Sequence, residues 1–314
     1  MRHLHHFTHL GIAVAISSLS LVPARAGIVI NPTFDSSITS DPNAANIEGT
    51  INQAINMFES QITTPITVNI TFQEMGSGLG SSSTFFGTIT YNQYLAALQA
   101  HSSGDAVDTS ALATLPAGPN NPVNGTTSVD VTTANLRALG FNAAVATDST
   151  ISVNTAITNF TGKPFNSSFY DLLAVVEHEM DEALGTGSDL DTGSTTGAIR
   201  PEDLFRYSAP GVRSYTTSSS ATSFFSIDGG ITNLIGFNQV GPPGGSDYGD
   251  WASSATPHVQ DAFGTPGATP VYGVERTALD AIGYNLVDAS VPEPSTLWLM
   301  TLGAVAFLAR RRSR

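Results

Sequence analysis

The segment from Ser167 to Gly185, SSFYDLLAVVEHEMDEALG, carries the strongest helix signal in the chain. Its apolar residues recur at three- and four-residue steps, which places them along one face of a helix. These residues are Leu172, Leu173, Val176, Met180, Ala183 and Leu184. Gly185 predicts the end of the helix. The fold therefore has to bury this apolar stripe, and it leaves the opposite polar face against solvent or against a polar site.

Two residues of the polar face stand at the spacing of metal ligands. His178 and Glu182 are four residues apart and lie on the same side of the predicted helix, so they can hold one ion. This is the geometry of the H-E-x-x-H pattern of zinc proteases, with Glu182 in the place of the second histidine. A carboxylate oxygen is also a zinc ligand. Glu179 projects beside the pair, where a general base can reach a water activated by the metal. The alternative is a surface helix whose charged face is solvated.

The first 26 residues have the pattern of a secretory signal peptide. A cationic start leads into an apolar run from Leu10 to Val22, and Ala24-Arg25-Ala26 forms a small-x-small cleavage site. The run is too short to span a bilayer as a mature helix. We therefore expect residues 1–26 to be removed and the bulk of the chain to be exported.

Residues 291–314 form a second targeting segment. Pro292-Glu293-Pro294 precedes a short apolar run from Leu297 to Ala309, and a cluster of arginines follows. This order resembles the PEP-CTERM sorting signal of bacteria that have exosortase systems; an ordinary tail anchor is the alternative. The apolar run followed by basic residues agrees with the positive-inside rule. The resemblance implies an exosortase-type sorting machinery as a partner and a short transmembrane segment with a basic tail as a transient anchor.

The part between the two signals is strongly acidic. Residues 27–290 contain 25 Asp and Glu against 6 Lys and Arg, a formal charge of −19. Such a surface repels phosphate backbones, which argues against nucleic acid as a partner, and it favours divalent cations. Because the chain has no cysteine, a metal must be held by His, Asp or Glu. The histidines of this part are His101, His178 and His258.

Hydrophobic periodicity predicts the other elements of the domain. We expect strands at 27–34, 66–74 and 149–156, helices at 43–62, 90–101, 132–140 and 273–287, and a glycine-serine loop from Gly76 to Ser83. After Gly185 the helix signals weaken until the last helix, and short strands and loops with tight turns are expected.

Several motifs occur together and in order along most of residues 27–288. They are HEMDEALGTGS, RPEDLFRYSAPG, DGGITNLIGFNQ and DYGDW. With them the chain resembles a family of zincin-like metalloproteases predicted in PEP-CTERM-bearing bacteria, whose helix has the H-E-x-x-E form. The resemblance implies one α+β domain over 27–290, with a zincin-like twisted mixed sheet, an active-site helix and a loop-rich C-terminal lobe. It also implies His178 and Glu182 as metal ligands and Glu179 as the general base.

The third ligand departs from the pattern of related families. In metzincins it stands six residues after the second ligand, and here that position is Ser188, a poor zinc donor. No methionine follows the helix before the sorting signal, so a Met-turn is missing. The candidates are Asp203, Asp189, Asp191 and His258. We favour Asp203, because the loop that begins at Pro201 could return it to the cleft.

Two further acidic stretches suggest other ligands. Asp189 and Asp191 could form a calcium-binding turn, since hard oxygen ligands alternate along such loops, although an acidic turn without an ion is the alternative. Asp247, Asp250 and Trp251 could form an aromatic patch for an extracellular polysaccharide; the alternative is that Trp251 packs under a loop. Zinc is the expected cofactor, with calcium as a second candidate.

These observations predict an exported zinc-dependent endopeptidase that hydrolyses protein or peptide substrates by metal-activated water. The first alternative is a catalytically silent zincin-like domain that serves as an extracellular matrix or binding protein. A second alternative is a calcium-stabilised adhesion module.

Overall fold

The computed structural model describes residues 27–241 and 247–287. Its helices are α1 (Ser36–Thr39), α2 (Ala44–Gln61), α3 (Tyr91–His101), α4 (Ala106–Ala113), α5 (Thr133–Ala138), α6 (Leu172–Leu184) and α7 (Val274–Ala281). Its strands are β1 (Val29–Phe34), β2 (Thr67–Glu74), β3 (Gly80–Thr84), β4 (Phe86–Thr90), β5 (Ser128–Thr132), β6 (Ser149–Val153), β7 (Thr158–Asn159), β8 (Tyr170–Asp171), β9 (Arg206–Ala209), β10 (Val212–Arg213), β11 (Phe224–Phe225) and β12 (Ile235–Gly236). The predicted signal peptide and the apolar C-terminal segment lie outside the described residues. Within the described ranges, no helix has the length and apolar character needed to cross a membrane.

A four-stranded mixed sheet with strand order β1-β2-β6-β3 organises the N-terminal part. β1, β2 and β6 are parallel, and β3 pairs antiparallel with β6 at the edge. The alternating residues Val68, Ile70 and Phe72 of β2 are buried, which is the pattern that predicted this strand. The predicted strands at 27–34, 66–74 and 149–156 are confirmed, as are the helices at 43–62, 90–101 and 132–140.

The edge strand β3 corrects the prediction of a loop from Gly76 to Ser83. Residues Gly80–Thr84 pair with β6 in an unbroken register from Gly80–Val153 to Thr84–Ser149. Glycine and serine have weak strand propensity, so the sequence carries no strand signal here. Pairing with β6 and packing against α6 decide the conformation instead.

Helix α6 lies under this edge strand and also packs against α2. It begins at Leu172, later than the predicted segment, because Tyr170–Asp171 forms β8 and the Asp171 side chain caps the helix through the Leu173 N–H. It ends at Gly185, whose φ of +130° is in the region that favours glycine. Both faces of the helix are buried, and Glu177, Glu179 and Asp181 are at most 8% exposed. The alternative of a solvated surface helix is therefore wrong.

The C-terminal half is rich in loops, as expected, with short strands in the order β10-β9-β11-β12. Its apolar centre is Trp251, which is fully buried and packs against Phe225 and Phe237. Helix α7 closes the domain, and the hydroxyl of Tyr284 after it donates to the Leu184 carbonyl at the end of α6. The chain is thus an α+β protein with several sheets.

Candidate metal centre

A cavity of about 400 Å³ lies between β3, α6 and the loops of the C-terminal half. Gly78 to Ser82 form one wall, and His178, Glu179 and Glu182 of α6 project into it. Loop residues that include Asp250, His258 and Val259 close the other side. The polar face of α6 is therefore buried over a polar cleft.

Three side chains in this cavity converge as metal ligands would. His178, Glu182 and Asp250 each offer one ligand atom, and these atoms all lie within 4.8 Å of one another. His178 Nε2 is 3.5 Å from Glu182 Oε1 and 3.6 Å from Asp250 Oδ1. One imidazole nitrogen and two carboxylate oxygens form a donor set that suits zinc.

Each of these three side chains is held by another residue. His178 Nδ1 lies 3.0 Å from the Val259 carbonyl, which can only accept, so Nδ1–H donates to it and Nε2 is the nitrogen that faces the carboxylates. Ser82 Oγ donates to Glu182 Oε2 at 2.6 Å. The buried Gln260 amide donates to Asp250 Oδ1 at 3.0 Å and lies 3.3 Å from His178 Nε2. Such partners orient metal ligands in known sites.

The cluster carries surplus negative charge in a buried place. Burial opposes protonation of His178, yet Asp250, Glu182 and Glu179 raise its pKa well above the ordinary value. Burial, and then the charges of Glu182 and Asp247, raise the pKa of Asp250 to about 8. Both shifts report an environment that attracts a cation, and a divalent metal competes with protons for the same groups. The residues present therefore fit a bound zinc ion.

Glu179 stands beside the cluster with a free oxygen. Its side chain is 5% exposed, and Oε2 has no hydrogen-bond partner among the described residues. Burial, and then the charge of Glu182, raise the pKa of Glu179 well above the ordinary carboxyl value. A buried carboxylate whose pKa is raised by burial binds a proton more readily than an exposed one, which is the property that a general base needs.

Asp203, the favoured third ligand, does not lie in the cluster. Its Oδ1 accepts a hydrogen bond from Ser188 Oγ, and its Oδ2 accepts from the N–H groups of Asp189 and Arg200 at 3.1 and 2.9 Å. Because both of its oxygens accept hydrogen bonds, Asp203 stabilises the segment that follows α6. Ser188 is part of this hydrogen-bonded segment. The structure places Asp250 where Asp203 was expected.

The other candidates also have local partners. Asp189 lies 3.5 Å from Arg200 Nε, and Asp191 Oδ1 accepts from the Tyr248 N–H at 2.6 Å. Among the described residues, neither carboxylate belongs to a group of three or more converging ligand atoms. His258 lines the cavity but is not one of the three converging ligands. Its Nδ1 is buried without a hydrogen-bond partner in the described part of the chain.

From the sequence, Asp250 is a candidate only for a sugar-binding patch. Trp251 is fully buried, and its indole N–H donates to Glu275 at 3.2 Å, so it cannot stack on a polysaccharide. The only sequence signal that pointed to Asp250 was an acidic residue beside a tryptophan in a loop. No spacing rule connects that position to His178.

Comparison with known proteins identifies one segment. Residues 290–312 match the PEP-CTERM protein-sorting motif. No curated protein and no solved structure matches the chain. The motif confirms the predicted sorting signal, so the protein is exported and is held transiently in the membrane until exosortase-type machinery processes it.

Proposed function

We propose that the domain between the two signals is a zinc-dependent endopeptidase of zincin type. The observation that carries this proposal is Glu179, a buried carboxylate with an unpartnered oxygen beside the converging His178, Glu182 and Asp250. A metal ion with a purely structural role does not need an unpaired carboxylate beside its ligands. A general base, in contrast, must lie in the cavity next to the ligands, as Glu179 does.

Each residue has a separate task in this reaction. His178, Glu182 and Asp250 would hold the zinc ion, which when bound supplies Lewis acidity to the scissile carbonyl and to water. Glu179 takes a proton from the attacking water and returns it to the leaving nitrogen. Ser82, Val259 and Gln260 keep the ligand side chains in place.

The edge strand β3 supports a peptide substrate. Among the described residues β3 pairs with β6 alone, so its other edge is available to an extended chain. An extended peptide can add to such an edge through main-chain hydrogen bonds. Because Gly80, Ser81 and Ser82 also line the cavity, a peptide on this edge would pass over Glu179 and the ligands. The position of α6 under an edge strand likewise supports the zincin-like fold.

Zinc content and hydrolysis of casein by the purified protein test the proposal. We expect about one zinc ion per chain and loss of that zinc in His178→Ala. Glu179→Gln should keep its zinc while kcat falls by about 10²- to 10⁴-fold, because only proton transfer is removed. Glu48→Gln on α2 is the matched control and should change neither quantity.

Two results would overturn the proposal in different ways. Absence of zinc from the wild type, or zinc content unchanged in His178→Ala, would refute the metal centre. A zinc-loaded wild type that cleaves neither casein nor a mixed peptide library would favour the silent matrix or binding protein.

A further inference from the structure

A second group of carboxylates lies where α4 meets α7. Asp105 precedes α4, Asp108 is in its first turn and Asp280 is near the end of α7. Each offers a carboxylate oxygen, and these three atoms lie within 4.8 Å of one another. None of the three residues lines the cavity of the candidate zinc centre, so this is a separate site.

Asp105 and Asp108 each use one oxygen to hold the local chain. Asp105 Oδ1 accepts from the Asp108 N–H at 2.9 Å. Asp108 Oδ2 accepts from Ser103 Oγ at 2.7 Å and from the Gly104 N–H at 2.9 Å. These bonds fix the direction of both carboxylates and leave the second oxygen of each for another partner.

Asp280 is the residue that points to a ligand. It is 4% exposed, and its Oδ1 is buried without a hydrogen-bond partner in the described ranges. Arg276, one turn earlier on α7, donates to the Val287 carbonyl at 3.0 Å and forms no ion pair with Asp280. Arg276 lies near enough to lower the pKa of Asp280 but does not pair with it, and one unpaired arginine does not offset three converging carboxylates, so the cluster needs a further cation or a proton.

We propose that Asp105, Asp108 and Asp280 bind a calcium ion that joins α4 to the closing helix α7. Calcium takes oxygen ligands and accepts water at its remaining positions. An adjoining cavity of about 310 Å³, lined by Asp105 and Asp280, has room for such waters. The set of three carboxylates contains no nitrogen or sulfur donor, which distinguishes it from the zinc centre.

Export explains why such an ion would be used. The chain has no cysteine, so no disulfide can hold α7 to the rest of the domain outside the cell. Calcium sites of extracellular modules have dissociation constants of about 10⁻⁴ to 10⁻³ M. A site of this class is filled only after the protein leaves the cytoplasm.

Two experiments test the inference after bound metal has been removed with a chelator. One measures the melting temperature with and without calcium, and the other is a calorimetric titration with calcium. Purified wild type should melt a few degrees higher in about 10 mM calcium, since a ligand of the native state stabilises it. Asp280→Asn and Asp105→Asn should lose this response. Asn caps a helix as well as Asp, so Asp105→Asn keeps the start of α4 intact and guards against a folding defect. His178→Ala and Glu48→Gln should keep the response.

Three outcomes would overturn the inference. If calcium does not change the melting temperature of the wild type, and Asp280→Asn is as stable as the wild type, the carboxylates share a proton instead of an ion. A calcium response that persists in both Asn variants would show binding elsewhere on the acidic surface. Loss of the response in His178→Ala would assign the calcium to the candidate zinc centre. Because casein hydrolysis is not used, failure here leaves the proposed function untouched.

Discussion

At the scale of single residues, Asp203 and Asp250 show what separates a structural carboxylate from a candidate metal ligand. Both side chains are buried; Asp203 lies in the short 3-10 helix Pro201–Phe205, and Asp250 lies in a loop. Asp203 accepts three hydrogen bonds from Ser188, Asp189 and Arg200, so its charge is satisfied within its own loop. Asp250 accepts one bond from Gln260 and otherwise faces His178. The two carboxylates therefore differ in the number of hydrogen-bond donors that surround them.

Alanine at the two positions should therefore have opposite effects. Asp203→Ala leaves three donors without an acceptor and should lower the free energy of unfolding by about 3 kcal/mol or more, while the folded protein keeps its zinc. Asp250→Ala should lower zinc affinity and leave the metal-free protein as stable as the wild type, since a buried charge is removed. Urea denaturation measures the free energy of unfolding of each variant, and zinc content measures its metal binding. Loss of zinc in Asp203→Ala alone would return Asp203 to the ligand set.

At the scale of elements, the small residues of β3 allow α6 to approach the edge strand. A Cβ atom at Gly80 would overlap Oε1 of Glu179 and would lie 2.9 Å from Val175 Cγ1. Two positions further along the strand, Ser82 reaches Glu182. Gly80 and Ser82 in this strand thus serve contact with the helix, which explains why larger side chains are absent from these two positions.

Gly80→Ala should impair hydrolysis without loss of metal. The added methyl group displaces Glu179, and a misplacement of about 1 Å can lower the rate about a hundred-fold. Zinc content should stay at the wild-type level, because none of the three ligands is touched. Ser83→Ala, on the exposed side of the same strand, is the control for a general effect on β3. Equal activity of Gly80→Ala and wild type would contradict the role of this contact.

The α4–α7 contact makes stability depend on pH when no calcium is present. Burial, and then the charges of Asp105 and Asp108, raise the pKa of Asp280 from 3.8 to about 8, while Arg276 opposes the shift. Between these values the folded protein binds more protons than the unfolded chain, so the free energy of unfolding falls as pH rises. Urea denaturation at pH 5 and pH 8 in a chelator should show a smaller fall for Asp280→Asn than for the wild type. Parallel curves would disprove this assignment.

At the scale of the whole molecule, the candidate zinc centre lies between two parts of the chain that pack on one core. Helix α6 supplies His178 and Glu182, and the C-terminal loops supply Asp250. Trp251 anchors these loops among Phe225 and Phe237. Its indole donates to Glu275, which also accepts from the Gln260 N–H at 3.1 Å. Packing of the C-terminal core therefore positions Asp250, the candidate third ligand.

Trp251→Ala should lower both the stability of the fold and the affinity for zinc. Loss of a fully buried tryptophan should lower the free energy of unfolding by about 3–5 kcal/mol. Zinc affinity should fall as well, because Asp250 is the preceding residue. Ile231→Ala, at a side chain that is 76% exposed, should change neither quantity. Denaturation and zinc titration of both variants check this, and normal zinc affinity in a folded Trp251→Ala would refute the coupling.

Features that depend on residues close together in the chain could be predicted from the sequence. The three- and four-residue steps predicted α6 and placed His178 and Glu182 on one side of it, because helix geometry is local. Period-two patterns predicted β1, β2 and β6, and the order of Pro-Glu-Pro, apolar run and arginines predicted the sorting motif.

Features that depend on contacts between distant parts of the chain could not be predicted in this way. β3 is a strand because β6 and α6 lie beside it, although the glycine and serines that make up most of it carry no strand signal. Asp250 reaches His178 because the loops around Trp251 pack on the core, and no spacing along the chain encodes that approach. The polar face of α6 is a site for the same reason, since its burial depends on residues far away in the sequence.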